Sequence, residues 1–210
     1  FNALTEGLQA IYLTDLEGNV TRKTDEKLWY DFTTPFFIDR ADGREILYTT
    51  WQSMDFPTEI VAFNTATQTG TKVTDENGHI LSQLKEHRTE ARMVKTVDDK
   101  DMLTWVLYPP EFDQSKKWPA IEICLGGPQG TLSQGWSYRW NYRLMCSQGY
   151  VVVLPNRRGT TAFGQEWCEQ ISGDYCGLNI QDYLCAAKAL KNEPYVGKMA
   201  ACGASYGGYS

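Results

Sequence analysis

With 210 residues, 42% hydrophobic and 22% charged side chains, the sequence has the length and balance of an ordinary globular chain of one large or two smaller domains. The net charge of −6 is modest and Lys and Arg form no block able to track a phosphate backbone, so nucleic acid is not an expected partner. No stretch approaches the ~20 apolar residues of a membrane-spanning helix, and the start at Phe1-Asn2-Ala3-Leu4 has neither the basic residues nor the apolar run of a signal peptide.

From the N-terminus, short β-rich runs alternate with turn residues. Ala10-Ile11-Tyr12-Leu13, Glu45-Ile46-Leu47-Tyr48-Thr49-Thr50-Trp51 and Glu59-Ile60-Val61-Ala62-Phe63 are separated by Glu17-Gly18-Asn19, Asp42-Gly43 and Gln68-Thr69-Gly70. Ile11 through Thr24-Asp25-Glu26 is echoed by Ile60 through Thr74-Asp75-Glu76, an offset of about 49 to 50 residues. That period suits a four-stranded blade, so residues 1–95 read as antiparallel units, the C-terminal blades of a β-propeller; an accidental likeness between two hairpins is the alternative.

From about Val97 strands alternate with helical stretches, which predicts a mostly parallel sheet with helices on its faces over residues 96–210. Residues 120–125 and 150–154 read as buried strands and 199–202 as a short third one. A helix is predicted over residues 142–147, ending at a left-handed Gly149. Ile180, Tyr183, Leu184, Ala187 and Leu190 recur at helical spacing, with Asn179 as N-cap and a stop before Pro194. Six cysteines (Cys124, Cys146, Cys168, Cys176, Cys185, Cys202) lie in this half without the close pairs of zinc or redox motifs, so buried or unpaired thiols are expected, with Cys124 and Cys202 in core strands. Disulfides remain open. No metal and no cofactor is implied.

Gly203-Ala204-Ser205-Tyr206-Gly207 follows the last strand, where a G-x-S-x-G forms a nucleophile elbow. A turn this sharp forces the serine into a strained conformation that only small neighbours allow, projects its hydroxyl, and leaves the N–H of Tyr206 free to bind an oxyanion. Leu125-Gly126-Gly127-Pro128-Gln129-Gly130 follows an earlier core strand, where small residues let the backbone approach a reacting carbonyl; a glycine-rich turn without duty is the alternative. Pro155-Asn156-Arg157-Arg158-Gly159 follows the valine-rich strand, and its arginines are expected to pair with an acid such as Asp174 rather than to meet substrate.

Together Gly126-Gly127-Pro128-Gln129, Gly149-Tyr150-Val151-Val152 with Arg158-Gly159, Gly173-Asp174-Tyr175 and the run from Gly203 through Gly208-Tyr209 resemble, in order, four motifs of the prolyl oligopeptidase family. The likeness is to its dipeptidyl-peptidase 5-like and acylaminoacyl-peptidase-like branch. It implies a β-propeller preceding an α/β-hydrolase domain, Ser205 as nucleophile, and an oxyanion hole from Tyr206, Gly126 and Gly127. It also implies short peptides as substrates and a periplasmic or cytoplasmic setting. Two departures are Leu125, where many relatives carry His or Tyr, and a short link from Tyr195-Val196 to Met199.

The only histidines, His79 and His87, precede the serine, whereas the acid and base of this fold follow it. Asp174 and Asp182 precede it too and are expected to be structural. Without an initiator Met and without a base after Ser205, the sequence reads as an internal piece, expected to be inactive by itself. An esterase on the same fold and a non-catalytic propeller module with a vestigial hydrolase domain are the competing readings.

Overall fold

In the computed structural model, which describes all 210 residues, the chain divides into two units, Phe1–Leu84 with Ser133–Trp140, and Lys85–Leu132 with Asn141–Ser210. The first unit is built from hairpins. Strands β1 (Asn2–Thr5), β2 (Leu8–Thr14) and β3 (Val20–Arg22) form a three-stranded antiparallel sheet. Strands β4 (Asp31–Phe32), β5 (Phe37–Asp39), β6 (Ile46–Ser53), β7 (Phe56–Asn64) and β8 (Thr69–Lys72) form a second, with β4 and β5 both paired to β6. A single turn, α1 (Gly78–Leu81), follows. Along β6 every second residue is buried, the period that a pleated strand imposes, and Leu47 and Trp51 join Ile11, Phe32, Val61 and Phe63 in one core.

The 49-to-50-residue echo is a shared hydrogen-bond scheme. The N–H of Ile11 donates to Thr24 Oγ1 at 3.2 Å and that of Ile60 to Thr74 Oγ1 at 2.9 Å. The carbonyls of Ile11 and Ile60 accept from the N–H groups of Lys23 and Val73, both at 2.8 Å. At the hairpin tips, Asp15 Oδ1 accepts from the N–H of Glu17 and Asn64 Oδ1 from that of Ala66, the same side-chain-to-backbone turn. Gln68, at φ 56°, ties one hairpin to the other: its amide donates to Lys23 O at 3.0 Å and accepts from the N–H of Asp25 at 2.7 Å. Segment Ser133–Trp140 belongs to this unit, where the Ser133 hydroxyl donates to the buried Asp31 carboxylate at 2.6 Å.

The second unit contains β9 (Arg88–Lys95), β10 (Asp101–Tyr108), β11 (Trp118–Cys124), α2 (Tyr142–Ser147), β12 (Val151–Pro155), α3 (Gln165–Glu169), α4 (Leu178–Lys191), β13 (Val196–Gly203) and α5 (Tyr206–Tyr209). Its five strands form one sheet in the order β13-β11-β12-β10-β9. The sheet is mixed rather than mostly parallel: β11 is parallel to β12 and β13, but β10 is antiparallel to β12 and β9. The turn at Val97 joins an antiparallel hairpin, and β9, which alternation groups with the first half, pairs residue for residue with β10.

Helix α2 spans the predicted residues, with Asn141 Oδ1 accepting from the N–H of Leu144 at 2.9 Å and Gly149 at φ 87° behind it. Helix α4 starts two residues earlier than its periodicity suggests. Gly177 is its N-cap, and Asn179 lies inside the first turn, where its amide is used elsewhere. The short link before Met199 is absorbed by an irregularity: β11 pairs Trp118 with Val196 and Ala120 with Met199, so Gly197 and Lys198 oppose a single residue. All six cysteines are free thiols. Cys124 is buried as expected, but Cys202 is exposed, because β13 is the end strand of the observed sheet.

Glu122 is an ionisable residue in the sheet interior, on β11 between Val153 of β12 and Ala201 of β13. It is 3% exposed and Oε2 has no hydrogen-bond partner, so burial pushes its pKa up to about 8. The fold therefore favours the neutral acid: the contribution is whole below the ordinary value of 4.5 and is lost as pH rises through about 8. Glu122→Gln is expected to match the parent's stability near pH 4.5 and to exceed it progressively above, by at most ~1.4 kcal/mol for each pH unit in that window. Urea midpoints at acid and mildly alkaline pH read this out, and a difference that fails to widen with pH would refute it.

Candidate active site

Strand β13 runs into Ser205, whose backbone (φ 56°, ψ −127°) lies in a region that costs a residue with a Cβ ~1–3 kcal/mol. Two glycines make this turn possible. A Cβ on Gly203 would lie 2.3 Å from Gly207 O and one on Gly207 1.9 Å from Cys124 O, both rigid backbone atoms. Ser205 is therefore exposed at the head of α5, and its hydroxyl makes no hydrogen bond within the chain.

The loop after β11 comes to the same place. A Cβ on Gly126 would lie 3.0 Å from Ala204 O and 3.7 Å from Ser205 Cβ, so this loop runs beside the elbow. Gly127 adopts φ 130°, where a Cβ would meet Gln129 N at 2.6 Å. The N–H groups of Gly126, Gly127 and Tyr206 have no acceptor within the chain, as expected for Tyr206 at the first position of a helix. An exposed primary hydroxyl can attack a carbonyl carbon, and the unpaired N–H donors beside it can donate to the oxyanion that forms.

What holds these pieces is the segment after β12. Asn156 and Leu132 exchange hydrogen bonds, Leu132 N–H to Asn156 Oδ1 at 2.9 Å and Asn156 Nδ2 to Leu132 O at 3.0 Å. Arg157 is fully buried and bonds to backbone carbonyls of the glycine loop. Arg158, equally buried, pairs with Asp98 and with Asp182, whose Oδ2 accepts from the Arg158 N–H at 2.9 Å. Neither arginine pairs with Asp174. That residue lies exposed where the chain enters α4, and Gly177 has no room for a Cβ beside its carboxylate. Asp182 is thus structural, though as the buried partner of Arg158 and not as a charge at a helix start; burial raises its pKa.

Beneath the elbow, Asn179 Nδ2 donates to Tyr206 Oη at 2.5 Å and Tyr206 Oη donates to Tyr175 O at 2.8 Å. The Gly173-Asp174-Tyr175 motif therefore serves the site through the ring and carbonyl of Tyr175, which packs edge-on against Tyr206 at 5.2 Å. Of the histidines, His79 lies exposed in α1 and His87 precedes β9, 3.4 Å from Thr89 Oγ1. The structure thus brings Ser205, Tyr206, Gly126 and Gly127 together. Sequence reasoning placed Asn179 and Tyr183 on a helix but missed their contacts at the site and the role of Arg157; two adjacent arginines one residue after a valine-rich, fully buried strand were the available signal.

The prolyl oligopeptidase family model matches residues 136–210. Dipeptidyl-peptidase 5 of Porphyromonas gingivalis is 48% identical over 176 residues, 83% of this chain and 26% of that protein. Dipeptidyl-peptidase 5 of Porphyromonas endodontalis is 52% identical over 161 residues, 76% of this chain and 23% of that protein. The acylaminoacyl peptidase of Pyrococcus horikoshii superposes on the whole chain with a TM-score of 0.78 at 26% identity, the chain covering 32% of it. The chain thus spans about a quarter of the length of the curated relatives it matches. On this identity across most of its residues, the chain belongs to the prolyl oligopeptidase family.

Proposed function

We propose that the protein is a serine peptidase that releases dipeptidyl or aminoacyl units from short peptides through an acyl-enzyme on Ser205. The observation that carries this is the exposed Ser205 at φ 56° with the Gly126 loop beside it. In the first step Ser205 Oγ adds to the scissile carbonyl carbon while a base takes the hydroxyl proton. The N–H groups of Tyr206 and of Gly126 and Gly127 bind the oxyanion; the base returns its proton to the leaving amine, and water then hydrolyses the ester. The order of the triad in this fold supports a base and an acid that follow Ser205 in the chain. The relatives' names, dipeptidyl-peptidase 5 and acylaminoacyl peptidase, support exopeptidase substrates.

In this reading the first unit carries the last blades of a β-propeller, supported by the repeated hairpin scheme of β2–β3 and β7–β8, and the second unit the N-terminal part of an α/β-hydrolase domain. The test is to treat the full-length protein with a fluorophosphonate and map the adduct by mass spectrometry. A single adduct on the peptide containing Ser205, with turnover of dipeptidyl or aminoacyl chromogenic substrates, is expected. An unlabelled protein would favour a non-catalytic module, and turnover of esters alone an esterase.

A further inference from the structure

Arg157 is fully buried, and its partners are three carbonyl oxygens and a phenol instead of a carboxylate. Nη2 donates to Leu125 O at 3.1 Å and Nη1 to Pro128 O at 2.8 Å, so the planar fork grips the two residues that bracket Gly126-Gly127. Nε donates to Tyr183 Oη at 3.1 Å, and that same oxygen accepts from the N–H of Leu125 at 2.8 Å. Burial raises the Tyr183 phenol to about 12, so it stays protonated. On its other side the guanidinium lies 5.2 Å from the centre of the Tyr206 ring. One side chain thus touches both halves of the candidate oxyanion hole.

The peptide unit gives this contact a consequence. Leu125 C=O and Gly126 N–H belong to one trans peptide and point in opposite directions, so fixing the oxygen on Arg157 fixes where the N–H aims. A cation on the oxygen also polarises that peptide and strengthens its N–H as a donor. Glycines are the residues that most need such restraint, because their backbone has no side chain to limit it.

We propose that Arg157, with Tyr183, is a positioning residue that holds the Leu125–Pro128 loop and Tyr206 so that their N–H groups converge on the oxyanion formed at Ser205. This rests on the serine-peptidase reading. In the full-length protein Arg157→Met is expected to lower kcat about 100-fold, as loss of an oxyanion donor does, with KM within about threefold. Tyr183→Phe, which removes one hydrogen bond, is expected to lower kcat about fivefold with KM unchanged. Affinity for a peptide aldehyde, whose hemiacetal with Ser205 places an oxygen in the hole, should fall in step with kcat, while affinity for the cleaved dipeptide product should not change. Arg157→Lys, which keeps the charge but not the fork, should recover only part of the loss.

A merely structural role would weaken aldehyde and product alike in the folded variants; that pattern, or folded variants with kcat within threefold of the parent, overturns the proposal. If circular dichroism shows Arg157→Met unfolded, Arg157→Lys and Tyr183→Phe decide by the same criteria. Undiminished turnover by Ser205→Ala would instead remove the peptidase reading itself, which keeps the two failures distinct.

Discussion

Replacing Ser205 with alanine in the full-length protein is expected to lower peptide turnover about a million-fold, with substrate affinity nearly unchanged. In the proposed mechanism the hydroxyl forms the acyl-enzyme; without it, catalysis would fall to what the N–H donors and substrate positioning provide to attacking water, about 10³ to 10⁴ over the uncatalysed reaction. The same order of loss is expected for the 210 residues taken alone with Ser205 intact. His79 lies in α1 and His87 ahead of β9, both before the serine, and the Ser205 hydroxyl has no hydrogen-bonded base. An unassisted hydroxyl is a poor nucleophile near neutral pH. Turnover of dipeptidyl and aminoacyl chromogenic substrates by the parent, by Ser205→Ala and by the 210-residue chain provides the comparison. An alanine variant within tenfold of the parent would remove Ser205 from the mechanism, and Ser205-dependent turnover by the short chain would mean that a base lies within it.

What could be read from the sequence was what depends on local chemistry. The elbow was legible because steric exclusion at Gly203 and Gly207 is written in two residue types, and the end of α2 because Gly149 marks it. The hairpin echo was legible because Thr24 and Thr74 each bond a strand N–H fourteen residues or so away in sequence, a contact that constrains both residue type and spacing. What escaped was set by distant partners. Asn179 has the side chain of a helix cap, but the hydroxyl of Tyr206, 27 positions on, uses its amide and leaves Gly177 to start the helix. Asp174 is near the arginines in the chain, yet the buried Asp182 takes Arg158, and Arg157 takes no acid at all. The strand directions also escaped: β10 is as apolar as a parallel strand because it too is covered on both faces, so burial alone could not distinguish a hairpin from a crossover.

Gly207→Ala tests how tightly the elbow is built. The added methyl would sit 1.9 Å from Cys124 O and 2.7 Å from Cys124 C, and neither can rotate away as a side chain could. Relief requires α5 and the end of β11 to separate, and Cys124 leads directly through Leu125 into Gly126, so both halves of the candidate oxyanion hole move with it. Overpacking that displaces backbone costs ~1–3 kcal/mol in ordinary cores and more where nothing yields; we expect a loss of at least ~3 kcal/mol in unfolding free energy and a fall in fluorophosphonate labelling rate of about 10³ or more. Gly208→Ala is the internal control. Its methyl would meet Gly203 O at 3.3 Å, a contact relieved by a shift of a few tenths of an ångström, so its stability should remain within ~1 kcal/mol of the parent. Urea unfolding followed by tryptophan fluorescence gives the first quantity and time-resolved labelling the second. Equal stability and equal labelling for the two variants would mean that the close approach of Gly207 to β11 does not constrain the site, and the steric account of the elbow would have to be abandoned.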